Sequence, residues 1–117
     1  MIYWMNYKIK TIPSFDRDVK ILSKKYKSFK SDLSKLREIL SNNPKSGIPI
    51  GNSCYKIRIT IASKNKGKSG GARVITNVLS LNELEGVIYL LAVYDKSEQE
   101  NISDNEIKDL LKKIITA

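Results

Sequence analysis

The eight residues Val87-Ile-Tyr-Leu-Leu-Ala-Val-Tyr94 form an unbroken apolar and aromatic run. A half-solvated strand alternates polar with apolar side chains, whereas a strand covered on both faces does not. The run therefore predicts a central strand, and the remaining chain must supply its neighbours and its covering layers. Tyr7-Lys-Ile-Lys-Thr-Ile12 alternates at period two and reads as a half-buried strand halted by Pro13. Two further strands are expected. One runs from about Ser53 to Ser63, with Tyr55, Ile57, Ile59 and Ile61 on one face and Lys56, Arg58 and Thr60 on the other; the next runs from Ala72 to Leu79.

Helical periodicity supplies the cover. Phe15, Val19, Leu22 and Tyr26 share one face of a helix for which Ser14 is the candidate cap, with Asp16 and Asp18 near the positive end of its dipole. Phe29, Leu33, Leu36 and Leu40 form a second stripe that ends at Asn42-Asn43-Pro44, where proline forbids continuation. Lys45 to Asn52, with Gly47, Pro49 and Gly51, has loop composition. Ser103-Asp-Asn-Glu106 is a capping box opening a last helix that carries Ile107, Leu110, Leu111 and Ile114. The expected order is β-α-α-β-β-β-α, a small α+β fold with a mostly antiparallel sheet, and the 117 residues suit a single domain over 1–117.

Composition narrows the chemistry. The chain has one cysteine, Cys54, and no histidine, so neither an internal disulfide nor a Cys/His zinc site is available. No metal and no cofactor are expected, and any acid–base catalysis falls to Lys, Arg, Tyr, Glu or Asp. No apolar run approaches the roughly 18 residues of a membrane span. The start lacks the marks of a signal peptide, and a cytoplasmic location is expected.

The net charge of +9 is unevenly spread. Residues 51–80 hold Lys56, Arg58, Lys64, Lys66, Lys68 and Arg73 and no carboxylate, while residues 81–117 hold 4 basic and 8 acidic groups. Like charges on neighbouring strands repel, so such a stretch suits an anionic visitor, phosphate first of all; a solvated basic surface is the plainer reading. Gly67-Lys68-Ser69 evokes a nucleotide-binding P-loop, but Ala62 stands where that pattern needs glycine and a strand follows where it needs a helix. The loop remains a candidate phosphate or RNA contact through Lys64, Lys66 and Lys68.

Lys56 and Arg58 share a strand face, and pairing of the next strand can bring Arg73 alongside. Arginine grips phosphate oxygens in a bidentate fork, and a lysine held among cations loses its proton more readily. Lys96 and Glu98, just beyond the core strand, are expected to reach the same face, Lys96 as a phosphate ligand and Glu98 as a base. Each of these also has an ordinary solvent-facing or loop-solvating explanation, and Tyr55 and Tyr89 fall where core packing is expected.

Several short pieces in order carry a family resemblance: Asn43-Pro44, Tyr55-Lys-Ile-Arg58, Lys66-Gly-Lys-Ser-Gly-Gly-Ala-Arg-Val-Ile75 and Leu90-Leu-Ala-Val-Tyr-Asp-Lys-Ser-Glu98. Together with the element order they resemble the RelE/ParE superfamily of toxins from bacterial type II toxin–antitoxin modules, most closely its HigB-type branch. The resemblance implies a ribosome-dependent, metal-independent mRNA endoribonuclease that inhibits translation. The ribose 2′-OH would attack the adjacent phosphate, leaving a 2′,3′-cyclic phosphate and a 5′-OH. It places Lys56 and Arg58 at the two basic positions of the strand motif, Arg73 at the arginine opening the next strand, and Lys96 at the basic position after the core strand. The tyrosine or histidine that assists in RelE-like members has Ile102 or a neighbour in its place. The implied partners are a cognate antitoxin, the ribosome and its message. A ParE-like gyrase-inhibiting toxin and a non-catalytic RNA- or antitoxin-binding relic are the alternatives, because fold alone does not separate the branches.

Overall fold

The computed structural model describes residues 6–64 and 70–116. Along the chain come β1 (Asn6–Thr11), α1 (Pro13–Lys25), α2 (Phe29–Asn42), β2 (Ile48–Gly51), β3 (Cys54–Ile59), a 3-10 turn (Ala62–Lys64), β4 (Ala72–Ser80), β5 (Glu85–Asp95) and α3 (Asp104–Thr116). The fold is α+β, with three helices and one five-stranded sheet in the order β1-β5-β4-β3-β2. The apolar run lies in β5, an interior strand parallel to β1 and antiparallel to β4. The remaining pairings are antiparallel.

Local chemistry explains where the elements depart from the sequence expectations. Lys45–Asn52 is not all loop, because Ile48–Gly51 pairs with β3 as a short edge strand. Pro49 has no N–H to donate, which an edge position tolerates and an interior one does not. The chain then reverses through Gly51, Asn52 and Ser53, all at positive φ. β3 stops at Ile59 rather than Ser63, since Ala62–Lys64 turns away as the 3-10 segment. The carboxylate of Asp32, 4% exposed, accepts the Ala62 N–H at 3.2 Å, and Ser28 Oγ accepts the Ser63 N–H at 2.9 Å. Ser14 does not cap α1. Ile12 is the N-cap, Pro13 opens the helix, and Ser14 Oγ instead donates to the Leu91 carbonyl at 3.3 Å. The capping box at α3 forms as expected, with Glu106 N–H donating to Ser103 Oγ at 3.1 Å and Ser103 N–H to Glu106 Oε1 at 3.3 Å.

The register separates the two sheet faces. One carries Ile9, Ile57, Ile59, Val74, Val78, Ile88, Leu90 and Asp95, and packs against α1 and α2 through Phe15, Leu22, Phe29, Leu36 and Leu40. The other carries Lys8 and Lys10 at one end and Lys56, Arg58, Arg73 and Tyr94 at the other. α3 and the turn before it reach this second face, where Asn101 Oδ1 accepts a hydrogen bond from Lys56 Nζ at 3.3 Å. A bulge at Leu91, where β4 passes from Ile75 to Thr76 opposite Ala92 and Leu90, lets one continuous apolar strand serve both layers. Among the described residues, no helix is long and apolar enough to cross a membrane.

Candidate functional site

Arg58, Arg73 and Tyr94 stand in one row across three strands, because Arg58 pairs with Arg73 and Arg73 with Tyr94. Gly71 permits this approach: a Cβ there would lie 2.0 Å from the Ile59 carbonyl oxygen, so any side chain would push the start of β4 away from the end of β3. Lys56 lies two residues before Arg58 on the same face, opposite Ile75. The ladder continues past β5 by one bond, from the Lys96 N–H to the Gly71 carbonyl at 3.1 Å. Lys96 itself stands in the turn that follows β5. The register thus brings together three of the expected site residues, Lys56, Arg58 and Arg73, on one face.

Arg73 is only 3% exposed, and its Nη1 donates to the Ala72 carbonyl at 3.2 Å. Burial, and then the positive charge of Arg58, push its pKa below the ordinary guanidinium value, with Tyr94 acting in the opposite direction. Two guanidinium groups in directly opposed positions repel, and a bound anion would relieve them. Tyr94 itself was expected only as core. It is 8% exposed, burial raises its pKa, and its hydroxyl has no hydrogen-bond partner among the described residues. The signal that could have singled it out was its register with Arg73. That register is hidden in an all-apolar run, where the Leu91 bulge breaks simple alternation.

Lys64 and Glu98 do not join this face. Lys64, expected as an RNA contact, donates from Nζ to Asp95 Oδ1 at 2.8 Å, with its side chain 9% exposed and that of Asp95 fully buried. Asp95 also accepts from the Tyr26 hydroxyl at 2.5 Å and from Ser97 Oγ and N–H at 2.7 and 2.9 Å. Burial alone would raise the pKa of Asp95, but the hydrogen bonds from Lys64, Tyr26 and Ser97 outweigh it and hold the carboxyl well below the usual carboxylate range. The Asp95 bond in turn raises the pKa of Lys64. Glu98 is paired with Lys25 of α1, on the helical side of the sheet. The expected meeting of Lys96 and Glu98 on one face does not occur, because the chain turns between them with Glu98 N–H bonded back to the Asp95 carbonyl. Lys66 and Lys68 lie outside the described residues.

A mostly antiparallel five-stranded sheet, backed by a helical pair and completed by a C-terminal helix, is the fold of the RelE-like toxins. One solved structure with this fold is a mutant of the E. coli toxin RelE in the free state; it matches with a TM-score of 0.55 and 17% identity over 94% of this chain and 99% of that one. No family model matches the chain. At this identity the likeness concerns the fold, and the chemistry has to be argued from the side chains.

Proposed function

We infer that this chain is the toxin of a toxin–antitoxin pair and acts by cutting messenger RNA. The observation that carries the reading is the direct opposition of Arg58 and Arg73 on one sheet face, with Lys56 on the same face and Lys96 bonded through its backbone to Gly71. In the reaction, the 2′-oxygen of a ribose bonds to the adjacent phosphorus as the bond from phosphorus to the 5′-oxygen breaks. The products are a 2′,3′-cyclic phosphate and a 5′-OH. Negative charge builds on the phosphorane oxygens, and preorganised cations at that point lower the barrier more than they stabilise bound substrate. Arg58 and Arg73 are assigned to the non-bridging oxygens through their planar forks, and Lys56 and Lys96 to orienting the flanking phosphates. Glu98, held by Lys25 in the other layer, has no part in this assignment.

The reading carries partners with it: a cognate antitoxin that covers the basic face, and a translating ribosome that presents the message in its A site. A cationic face of this kind gains from a substrate positioned by something else, since orientation then need not come from the toxin. The test is primer extension on a defined message in a bacterial translation extract, with wild-type protein beside Arg73→Ala. Cuts within A-site codons that require ribosomes and fall by at least about 100-fold in Arg73→Ala support the reading. Intact message with continuing translation sinks it, and inhibition of gyrase supercoiling becomes the next assay.

A further inference from the structure

Lys56 is tethered differently from Lys25 and Lys64. Those two meet carboxylates, of Glu98 and of Asp95. Lys56 Nζ instead donates to Asn101 Oδ1 at 3.3 Å, a neutral amide 45 residues further along the chain. Position 101 is surrounded in the sequence by Glu98, Glu100, Asp104 and Glu106, yet the residue that reaches Lys56 carries no charge. A carboxylate would fix the ammonium and neutralise it, whereas an amide oxygen fixes it and leaves its charge for an incoming anion. Lys56 is half-buried and Asn101 exposed, so the pair lies at the surface of the face that Lys56 shares with Arg58 and Arg73.

The chain on either side of Asn101 is anchored. Before it, the N–H groups of Glu98 and Gln99 both donate to the Asp95 carbonyl at 3.1 Å, and Gln99 Nε2 donates to the Asn101 carbonyl at 2.9 Å. After it, Ile102 packs against the core, and Ser103 caps α3 with Glu106. Asn101 therefore offers its acceptor from a braced turn to a side chain that would otherwise sample many rotamers on its four-carbon stem.

We propose that Asn101 is a positioning residue for message cleavage: its amide holds the Lys56 ammonium in place without taking its charge, so that a flanking phosphate meets a cation already ordered. The proposal rests on the RNA-cutting reading above, which gives Lys56 its task. A lysine ordered before the substrate arrives has no rotamer freedom left to lose at the reaction, and the geometry of the strand is set from the start. Two properties of Asn101 are thereby separable, its reach and its neutrality. Asn101→Ala removes both, while Asn101→Asp keeps the reach and puts a competing negative charge against the ammonium.

The test has two readouts. The first is nitrogen-15 relaxation of the lysine ammonium groups, with the Lys56 signal identified by its loss in Lys56→Ala. Lys56 should be more ordered than the exposed Lys35 and Lys45, should fall to their level in Asn101→Ala, and should stay ordered in Asn101→Asp. The second is cleavage kinetics on purified ribosomes carrying a defined message. Asn101→Ala should lower kcat about 10-fold with KM within about twofold of wild type, and Asn101→Asp should raise KM about 10-fold. In a Lys56→Ala background the cost of Asn101→Ala should shrink to within about twofold, because the residue it acts through is gone. Asn105→Ala, which removes an exposed amide one turn into α3, should cut like wild type, and all variants should melt close to wild type. Unchanged order of Lys56 in Asn101→Ala overturns the proposal, as does the same fold-loss with and without Lys56. Asn101→Asp cutting as well as wild type overturns the part played by neutrality. A wild-type protein that cuts no message sinks the cleavage reading, while the ammonium signal still decides whether Asn101 holds Lys56.

Discussion

Replacing Lys64 by alanine separates two roles that the same side chain can be given. Its Nζ lies 2.8 Å from Asp95 Oδ1 and 5.5 Å from the centre of the Tyr26 ring, and the Asp95 side chain is fully buried. Removing one partner of a buried pair costs about 3 to 5 kcal/mol, because the other charge stays behind. Asp95 keeps its bonds to Tyr26 and Ser97, which places the cost near the lower end, at about 3 kcal/mol. A chain of 117 residues has an unfolding entropy of about 0.25 kcal/mol per kelvin, so this amounts to a fall in melting temperature of about 12 °C. Thermal melts followed by circular dichroism at pH 7 measure it, while RNA affinity taken well below the melt should keep its salt slope. A melting temperature within about 2 °C of wild type, together with a slope smaller by about 0.7 to 0.9, would refute the argument and return Lys64 to phosphate binding.

Three further outcomes follow from single features. Tyr94→Phe should leave stability unchanged or raise it by about 1 kcal/mol in urea titrations, since it deletes a buried hydroxyl that has no partner; a clear loss would show that the hydroxyl is bonded in solution. Ser103→Ala should cost about 1 kcal/mol, or about 4 °C, by removing the reciprocal cap of α3, and unchanged melting would contradict that cap. Asp95 has a depressed folded pKa, so its stabilisation is present above the unfolded value of about 3.9 and drains away as pH falls below it. Asp18, raised by burial, acts in the opposite sense and recovers part of the loss. Melts from pH 7 to pH 2 should therefore show an acid limb in wild type that is much reduced in Asp95→Asn, and parallel limbs would exclude Asp95 as its source.

Where the sequence was informative, the reason was short-range. The run at Val87–Tyr94 needed no partner to declare itself central, and the Ser103–Glu106 cap and the stripes of α1 and α2 follow from bonds and faces within a few residues. The alternation that put Lys56 and Arg58 on one face was also local, and register then placed Arg73 opposite Arg58. β2 escaped notice because Pro49 and the glycines around it resemble a loop until an edge is available to receive them. The partners of Glu98 and Lys64 are hidden in the sequence for a related reason. Their charges were visible, but the positions of Lys25 and of the buried Asp95, 73 and 31 residues away, were not.

The sequence by itself determined the alphabet of this protein: a chain without histidine, basic through its first two thirds, with one strand destined for the interior and three amphipathic helices to cover a sheet. Periodicity and composition are properties of neighbouring residues, and they survive without a fold. Tertiary structure decided which cations share a sheet face and which become struts. That division depends on strand order, on the register of β3, β4 and β5, and on the burial of Asp95, all of them contacts between residues far apart in the chain. Lys64 and Arg73 look alike in the sequence, yet burial gives one to a carboxylate in the helical layer while register sets the other against Arg58, because electrostatic energy depends on distance and local dielectric rather than on chain position.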